Sequence, residues 1–384
     1  MTICSVARYT CDMEVDKSLV LKLFEASLGA DYTTVRRIGG RIARDLAEVD
    51  AEGAKALQAM LRKRGVPLQA SGYVEALPRD AGSRLPLVEE MPWPASPLFL
   101  NTDAGHVIEQ FIEDANNIAL LAENGISARL GILLYGPPGT GKSLLAGHIA
   151  ARLGRPFYVA RLDSVISSRL GETSKNIRGM FDFIPTKDAV LFLDEMDAIA
   201  KLRDDRHELG ELKRVVNTVL QGLDSLADEV IVIGATNHPH LLDPAIWRRF
   251  PYKAELLVPD RAVRASMWSH FLFQDSDEDG ASDLLARLSE EMTGADIENF
   301  AHAARRRAVI SREDLNLAPI LLSVATNKEG APRLPDNRAL TADEKKVLSQ
   351  ILVDRLAMPQ TEIARMLGVS RQMVHRYLKG GDDG

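Results

Sequence analysis

Gly136-Pro137-Pro138-Gly139-Thr140-Gly141-Lys142-Ser143 is the part of this 384-residue sequence whose residue types and spacing translate most directly into chemistry. The stretch satisfies the pattern Gly-x-x-x-x-Gly-Lys-Ser/Thr. Glycines there let backbone N–H groups close around phosphate oxygens, and the amino terminus of a following helix adds positive potential. Lys142 would reach the β- and γ-phosphates, and Ser143 would supply a hydroxyl to Mg²⁺. A second stretch, Val190-Leu191-Phe192-Leu193-Asp194-Glu195, reads as an apolar strand ending in two acids. Beside a phosphate loop, Asp194 can hold Mg²⁺ through water and Glu195 can polarise the attacking water. A third apolar run, 230–236, ends in Asn237, and Asp243-Pro244-Ala245-Ile246-Trp247-Arg248-Arg249-Phe250 follows it.

Such residues act together only if the chain brings them to one edge. Short runs rich in apolar and β-branched residues occur at 132–135, 157–160, 190–193, 230–233 and 254–258. Helical stretches or longer connections separate them, one carrying the stripe Leu212, Val215, Val216, Val219, Leu220 and Leu223. This alternation predicts an α/β fold whose parallel sheet is covered on both faces. After Pro259 the strand signal stops and helices are expected at 262–271, 284–291 and 296–310. Residues 15–64 read as three short helices, with Val35, Ile38, Ile42 and Leu46 at helical spacing and Arg37, Arg41 and Arg44 off that stripe. Pro78, Pro86, Pro92, Pro94 and Pro97 mark an extended connector, and Gly330, Pro332 and Pro335 mark a second.

In this order and spacing, the phosphate loop, Leu-Asp-Glu-Met-Asp, Gly-Ala-Thr-Asn-His-Pro and Leu-Asp-Pro-Ala-x-x-Arg-Arg-Phe resemble an AAA-family ATPase over about residues 105–309. The resemblance implies a P-loop NTPase module with a helical lid that binds ATP and Mg²⁺ and assembles as a ring, usually a hexamer. Asn237 then matches the polar sensor that orients water or γ-phosphate. Arg248 and Arg249 match arginine fingers that reach the neighbouring subunit's nucleotide, a contribution worth ~10³–10⁵ in rate. Thr293-Gly294-Ala295-Asp296 matches the lid helix start beside the adenine, which puts Gly294 and Ala295 among the binding residues and makes Thr293 a cap. The first turn there has no arginine, as in the protein-remodelling branch of the family. Arg169, Leu170 and Gly171 fall where ring unfoldases carry an aromatic–apolar–glycine pore loop. Arg169 takes the aromatic position, so the expectation is contact with acidic or polar substrate.

The implied organisation is a helical unit (1–70), a proline-rich linker (71–104), the α/β domain (105–260), its lid (261–326), a linker (327–339) and a helical tail (340–384). In the tail, Ile363, Ala364 and Leu367 would pack one helix, Gly368 would permit a tight turn and Ser370 would cap the next helix, with Val374 and Leu378 facing inward. This resembles a helix-turn-helix, whose second helix enters the major groove of DNA. Arg371, Gln372 and His375 would then meet base edges, with Arg376 and Lys379 nearer phosphates. A small helical hairpin for protein contact is the other reading of the same pattern.

Two apparent metal motifs fail on their own spacing. The acidic run from Asp275 begins like a calcium loop, but its twelfth position is Ala286. His207-Glu208 begins like a zinc-peptidase motif, but the second histidine position is Glu211. With 47 Lys/Arg against 54 Asp/Glu the formal charge is −7, so any nucleic-acid contact must be local. Cys4 and Cys11, the two cysteines, cannot staple a fold and fit a reducing compartment. The sequence shows neither a membrane-length apolar run nor a signal-peptide layout, so a soluble cytoplasmic protein with no membrane partner is expected.

The leading expectation is a ring ATPase that remodels a protein partner, with the tail as a DNA anchor. Compact bacterial AAA proteins resembling this one are often paired with a subtilisin-like serine protease, sometimes in plasmid-maintenance or phage-defence modules, and the resemblance alone implies such a partner. The alternative is a DNA-centred machine: an initiator, a loader or an ATP-dependent transcription regulator. A nucleotide-sensing scaffold with little turnover is disfavoured by the presence of Lys142, Asp194, Glu195 and the arginine pair.

Overall fold

The computed structural model describes residues 22, 38, 41, 42, 53, 77–80, 86–126, 129–162, 170–186, 188–201, 209–227, 230–277, 280–326 and 338–379. The chain divides into two units, Met1–Ala76 and Leu77–Gly384. In the first, Lys22, Ile38, Arg41 and Ile42 are helical, with Ile38 buried and Arg41 exposed. Gly53 is helical as well, and the rest of the three expected helices lies outside the described residues.

The second unit runs β1 (Glu89–Met91), α1 (Thr102–Asn116), α2 (Ile118–Glu123), β2 (Gly131–Tyr135), α3 (Lys142–Leu153), β3 (Phe157–Arg161), α4 (Leu170–Phe183), β4 (Val190–Asp194), α5 (Ala198–Lys201), α6 (Leu209–Ser225), β5 (Ile231–Thr236), α7 (Pro244–Trp247) and β6 (Tyr252–Glu255). It continues through α8 (Arg261–Phe273), α9 (Ala281–Leu288), α10 (Gly294–Ser311), α11 (Leu317–Ala325), α12 (Ala342–Leu356), α13 (Gln360–Leu367) and α14 (Arg371–Lys379). Among the described residues no helix is long and apolar enough to cross a membrane.

The strands form one sheet in the order β1-β3-β4-β5-β2-β6. Five are mutually parallel, as the apolar runs predict. Their side chains alternate between two buried faces, which is why the runs are apolar throughout. Leu133, Leu191, Leu193 and Val232 point to one face, covered by Ile177, Met180 and Phe181 of α4 and Val215, Val219 and Leu223 of α6. Ile132, Leu134, Val190, Phe192, Ile231 and Ile233 point to the other, covered by Ile108, Phe111 and Ile112 of α1 and Leu145, Ala146 and Ile149 of α3.

The sixth strand, β1, comes from the stretch expected as a proline-rich linker and pairs antiparallel with β3. Prolines flank this strand rather than interrupt it, and it occupies the sheet edge where they are tolerated. Leu87 and Val88 just before it are buried in the core. The expected strand at 254–258 sits earlier, at Tyr252–Glu255; the Leu256 N–H makes one more bond to β2, to the Tyr135 carbonyl at 2.8 Å, and both Leu256 and Leu257 line a cavity.

Beyond the sheet, α8–α11 form a helical lid. The tail helices α12–α14 share its core rather than building their own. Trp268, Leu285, Phe300 and Leu321 of the lid and Leu348, Leu352, Ile363, Leu367 and Val374 of the tail belong to one buried cluster. Arg287 of α9 also donates from Nη2 to the Leu356 carbonyl at 3.1 Å.

Candidate active site

Parallel strands deliver their carboxyl ends to one edge, where the chemistry-bearing residues gather. Tyr135, the last residue of β2, pairs with Thr236, the last of β5, and Asp194 ends β4 between β3 and β5. The phosphate loop therefore opens beside Asp194, Glu195 and Asn237. All four belong to the lining of one cavity of about 470 Å³, along with residues 96–101, Met267, Phe271, Gly294, Ala295 and Glu298.

Two loop glycines answer to close approach. A Cβ on Gly136, whose φ is +141°, would stand 2.1 Å from the Leu256 carbonyl oxygen. One on Gly139, at φ +78°, would stand 2.7 Å from Thr293 Oγ1 of the lid. The lid reaches back to the loop: the Ala295 N–H donates to the Gly139 carbonyl at 3.1 Å. Thr293 and Asp296 form a reciprocal capping box at the start of α10, as the sequence pattern anticipates. Thr140 Oγ1 donates to the Pro137 carbonyl at 2.9 Å, closing the loop on itself, and Pro138 lines the cavity.

Helix α3 begins after Gly141 without a side-chain cap, so its first N–H groups point at the loop interior. Lys142 is 8% exposed, and its Nζ donates to the carbonyls of Gly136 at 2.9 Å and Pro137 at 2.8 Å. Burial pushes the lysine pKa below its usual value, and the Asp194 and Asp197 carboxylates oppose that shift. Phosphate oxygens offer the same ammonium stronger, charged acceptors. Ser143 Oγ donates to Asp194 Oδ2 at 3.1 Å, so the hydroxyl and the carboxylate expected to hold Mg²⁺ already stand together. This donor set, all oxygen with one charge, suits a hard cation that keeps several waters. Bound there with a nucleotide, Mg²⁺ would neutralise charge on the β- and γ-oxygens.

Glu195 follows Asp194 with φ +54°, a left-handed turn uncommon for a residue with a Cβ. Its N–H donates to Asp194 Oδ1 at 2.9 Å, which fixes the metal-side carboxylate while the Glu195 side chain faces the cavity. Asp197, two residues on, has no role in the sequence reading. It is 2% exposed and accepts from Thr236 Oγ1 at 3.1 Å and from the Asn237 N–H at 3.2 Å. It thereby ties the end of β4 to the end of β5 and sets the backbone of Asn237. Its signal in sequence is the last acid of Leu-Asp-Glu-Met-Asp, but its partners are remote in the chain.

The two arginines separate. Arg249 makes a bidentate pair with Asp224, Nε to Oδ1 at 2.8 Å and Nη2 to Oδ2 at 2.9 Å, and Arg129 adds a third bond to that carboxylate at 3.1 Å. These bonds hold the Asp224 pKa below its usual value and raise that of Arg249. The Arg248 side chain is exposed and makes no hydrogen bond or ion pair with any described residue. Neither lines the cavity. Helix α7, which they follow directly, is capped by Asp243 and held to the end of β2 by Trp247 against Tyr135, ring centroids 5.1 Å apart.

Of the expected pore loop, Arg169 lies outside the described residues; Leu170 and Gly171 open α4. In the tail, a three-residue turn with Gly368 at φ +61° separates α13 from α14. Ser370 Oγ accepts from the Met373 N–H at 3.2 Å, capping α14. Val374 is buried in the cluster that the tail shares with the lid, and Arg371, Gln372, His375, Arg376 and Lys379 are all exposed.

Residues 132–257 match the family described as "ATPase family associated with various cellular activities (AAA)". An uncharacterized AAA family ATPase of Sinorhizobium fredii is 40% identical over 223 residues, which cover 56% of this chain and 66% of the relative. The ATP-dependent zinc metalloprotease FtsH 3 of Sphaerobacter thermophilus is 35% identical over 225 residues, 57% of this chain and 46% of the relative. A cell division control protein 48 homolog of Arabidopsis thaliana is 38% identical over 202 residues, 48% of this chain and 24% of the relative. The chain thus spans just under two thirds of the first of these and half or less of the other two. With the phosphate loop, the acidic strand end and the lid contact in place around one cavity, residues 132–257 are the core of an AAA-family ATPase domain.

Proposed function

We propose that this protein hydrolyses ATP with Mg²⁺ as a ring of identical subunits, a hexamer in the simplest case, and uses the cycle to remodel a protein partner. The supporting observation is electrostatic. Among the described residues that line the cavity, Lys142 is the one cation, against the four carboxylates of Asp194, Glu195, Glu255 and Glu298. The transition state of phosphoryl transfer needs more positive charge than one lysine and one Mg²⁺ supply. Arg248 is exposed, unpaired among the described residues and outside that lining, as a group delivered to a neighbour's site would be.

Roles follow from position. Gly136, Pro137, Pro138, Gly139, Thr140, Gly141 and Lys142 hold the phosphates, Ser143 and Asp194 hold the metal, and Gly294 and Ala295 close over the nucleoside. Glu195 accepts a proton from the attacking water and Asn237 orients it. Two inactive variants test the arrangement. Lys142→Ala loses nucleotide binding, and Arg248→Ala loses the finger. Mixed together they regain turnover if the arginine acts in trans, because intact phosphate loops then meet intact fingers. Activity absent from every mixture contradicts the proposal. Glu195→Gln should trap ATP-bound rings visible by light scattering, and a pull-down with that variant identifies the partner, including any serine protease.

The tail supports a second reading, a DNA-centred ATPase. Its five polar side chains share one exposed helix whose single buried residue, Val374, faces inward where the helix packs on α12 and α13. From residue 340 to 379 the chain carries seven Lys/Arg against four Asp/Glu, opposite in sign to the whole. Stimulation of turnover by duplex DNA would favour this reading, and stimulation by a protein alone would favour the first.

A further inference from the structure

Glu298 lies on α10 one turn beyond Gly294, is half-buried and lines the same cavity. Its side chain makes no hydrogen bond or ion pair with any described residue. Asp194, Glu195 and Glu255 stand at strand ends beside the phosphate loop, which leaves Glu298 as the carboxylate on the lid side.

The contacts of α10 fix its level along a bound nucleotide. At the phosphate end, Ala295 donates to the Gly139 carbonyl at 3.1 Å. Further along, the His302 ring meets Phe271 with centroids 5.7 Å apart, and Phe271 meets Phe99 at the same separation. At the helical rise, Glu298 stands about 4.5 Å beyond Ala295, on a face running from the phosphates toward those aromatic rings. Leu98, Phe99, Leu100, Met267 and Phe271 make that end apolar, a surface on which a flat base stacks. Asn101, which also lines it, is already engaged, donating to the Val258 carbonyl at 3.1 Å and accepting from the Asp260 N–H at 2.9 Å.

We propose that Glu298 selects the base: its carboxylate accepts a hydrogen bond from the 6-amino group of adenine and repels the 6-carbonyl oxygen of guanine. An ionised carboxylate is acceptor-only, so a base presenting a donor there is favoured and one presenting an acceptor leaves two oxygens opposed. Sites that hydrogen-bond their substrate reject the analogue lacking the partner more strongly than apolar pockets do. The inference rests on the reading of the cavity as an ATP site.

Calorimetric binding of MgATP, MgGTP and Mg-2′-deoxyATP to the full chain separates the two. Wild-type protein should prefer ATP to GTP by about tenfold or more, the scale of one charge-assisted bond. Glu298→Gln, whose amide also donates, should close most of that gap, and Glu298→Ala should weaken ATP binding by about tenfold. In all three proteins 2′-deoxyATP should track ATP. A preference unchanged in both variants overturns the inference while leaving the ATP reading intact. So does a 2′-deoxyATP deficit confined to wild type, which would place Glu298 on the ribose. Wild-type protein that binds none of the nucleotides overturns both.

Discussion

Adjacent arginines on one turn carry separable consequences. Arg249 is held by Asp224 and shares it with Arg129, so it braces the turn within its own chain. Arg248→Ala should lower kcat by ~10³-fold or more with an unchanged melting temperature and unchanged ATP affinity, since a finger acts on the transition state alone. Arg249→Ala should instead lower the melting temperature, with a smaller loss of rate from a loosened turn. The opposite pattern, measured by steady-state hydrolysis and thermal unfolding, would exchange their roles. Asp197 makes a comparable case. Replacing it with Ala frees Thr236 Oγ1 and the Asn237 N–H, and a sensor displaced by about 1 Å can cost ~10²-fold in kcat with little change in KM. The sequence offered Asp197 as one more acid in a motif. Its task became legible only when the fold brought β5 beside β4.

Elements that hold the site were read unevenly. The five parallel strands follow from apolar runs bounded by turns, because burial on both faces leaves no other pattern for them. Residues 86–101 resisted that reading because prolines dominate local propensity while tertiary contacts decide the outcome. Trp93 Nε1 donates to the Arg155 carbonyl at 3.0 Å, His148 Nε2 meets the Ser96 carbonyl at 2.8 Å, and Asn101 clips the start of the lid. The result is a strap across one side of the cavity. Asn101→Ala should weaken ATP binding more than it slows turnover at saturation, as equilibrium binding and kcat would report. A different tie joins α1 to β6, where the Tyr252 hydroxyl donates to Asp114. Burial, then that carboxylate, pushes the phenol pKa from 10.0 up to about 12. Neutral tyrosine is thus favoured by the fold. Its stabilisation is complete below pH 10, the unfolded value, and is lost as pH rises toward about 12. Chemical denaturation across that window should show a falling midpoint in wild type and a shallower fall in Tyr252→Phe.

At the scale of the whole molecule, the tail and the lid are one body. The periodicity of 360–378 disclosed two short helices and the turn between them, including the cap at Ser370 and the buried Val374. It did not disclose what the pattern packs against, because an apolar stripe does not name its partner. The near-continuous apolar sequence of α11 is the sign that was available: Leu-Ala-Pro-Ile-Leu-Leu-Ser-Val-Ala must be covered on more than one side. It is covered by α9 and by α12, and Ile320, Leu321 and Val324 are each 3% exposed or less. Removing residues 340–384 would therefore uncover the lid, at roughly 1.5–3 kcal/mol for each large apolar side chain returned to water. That truncation should lower the melting temperature and nucleotide affinity together, so it cannot isolate DNA binding. Charge reversal on the exposed face can. Arg371→Glu with Arg376→Glu alters neither the buried cluster nor the cap, so unfolding temperature and basal hydrolysis should hold. Affinity for duplex DNA, measured by fluorescence anisotropy across a salt series, should fall, and the slope of log affinity against log salt should shrink by about two. Unchanged DNA affinity in the doubly reversed protein would assign α14 to protein contact. Helix α14, packed on α12 and α13, would then present its basic face to an acidic partner surface, and the ring rather than the tail would choose the substrate.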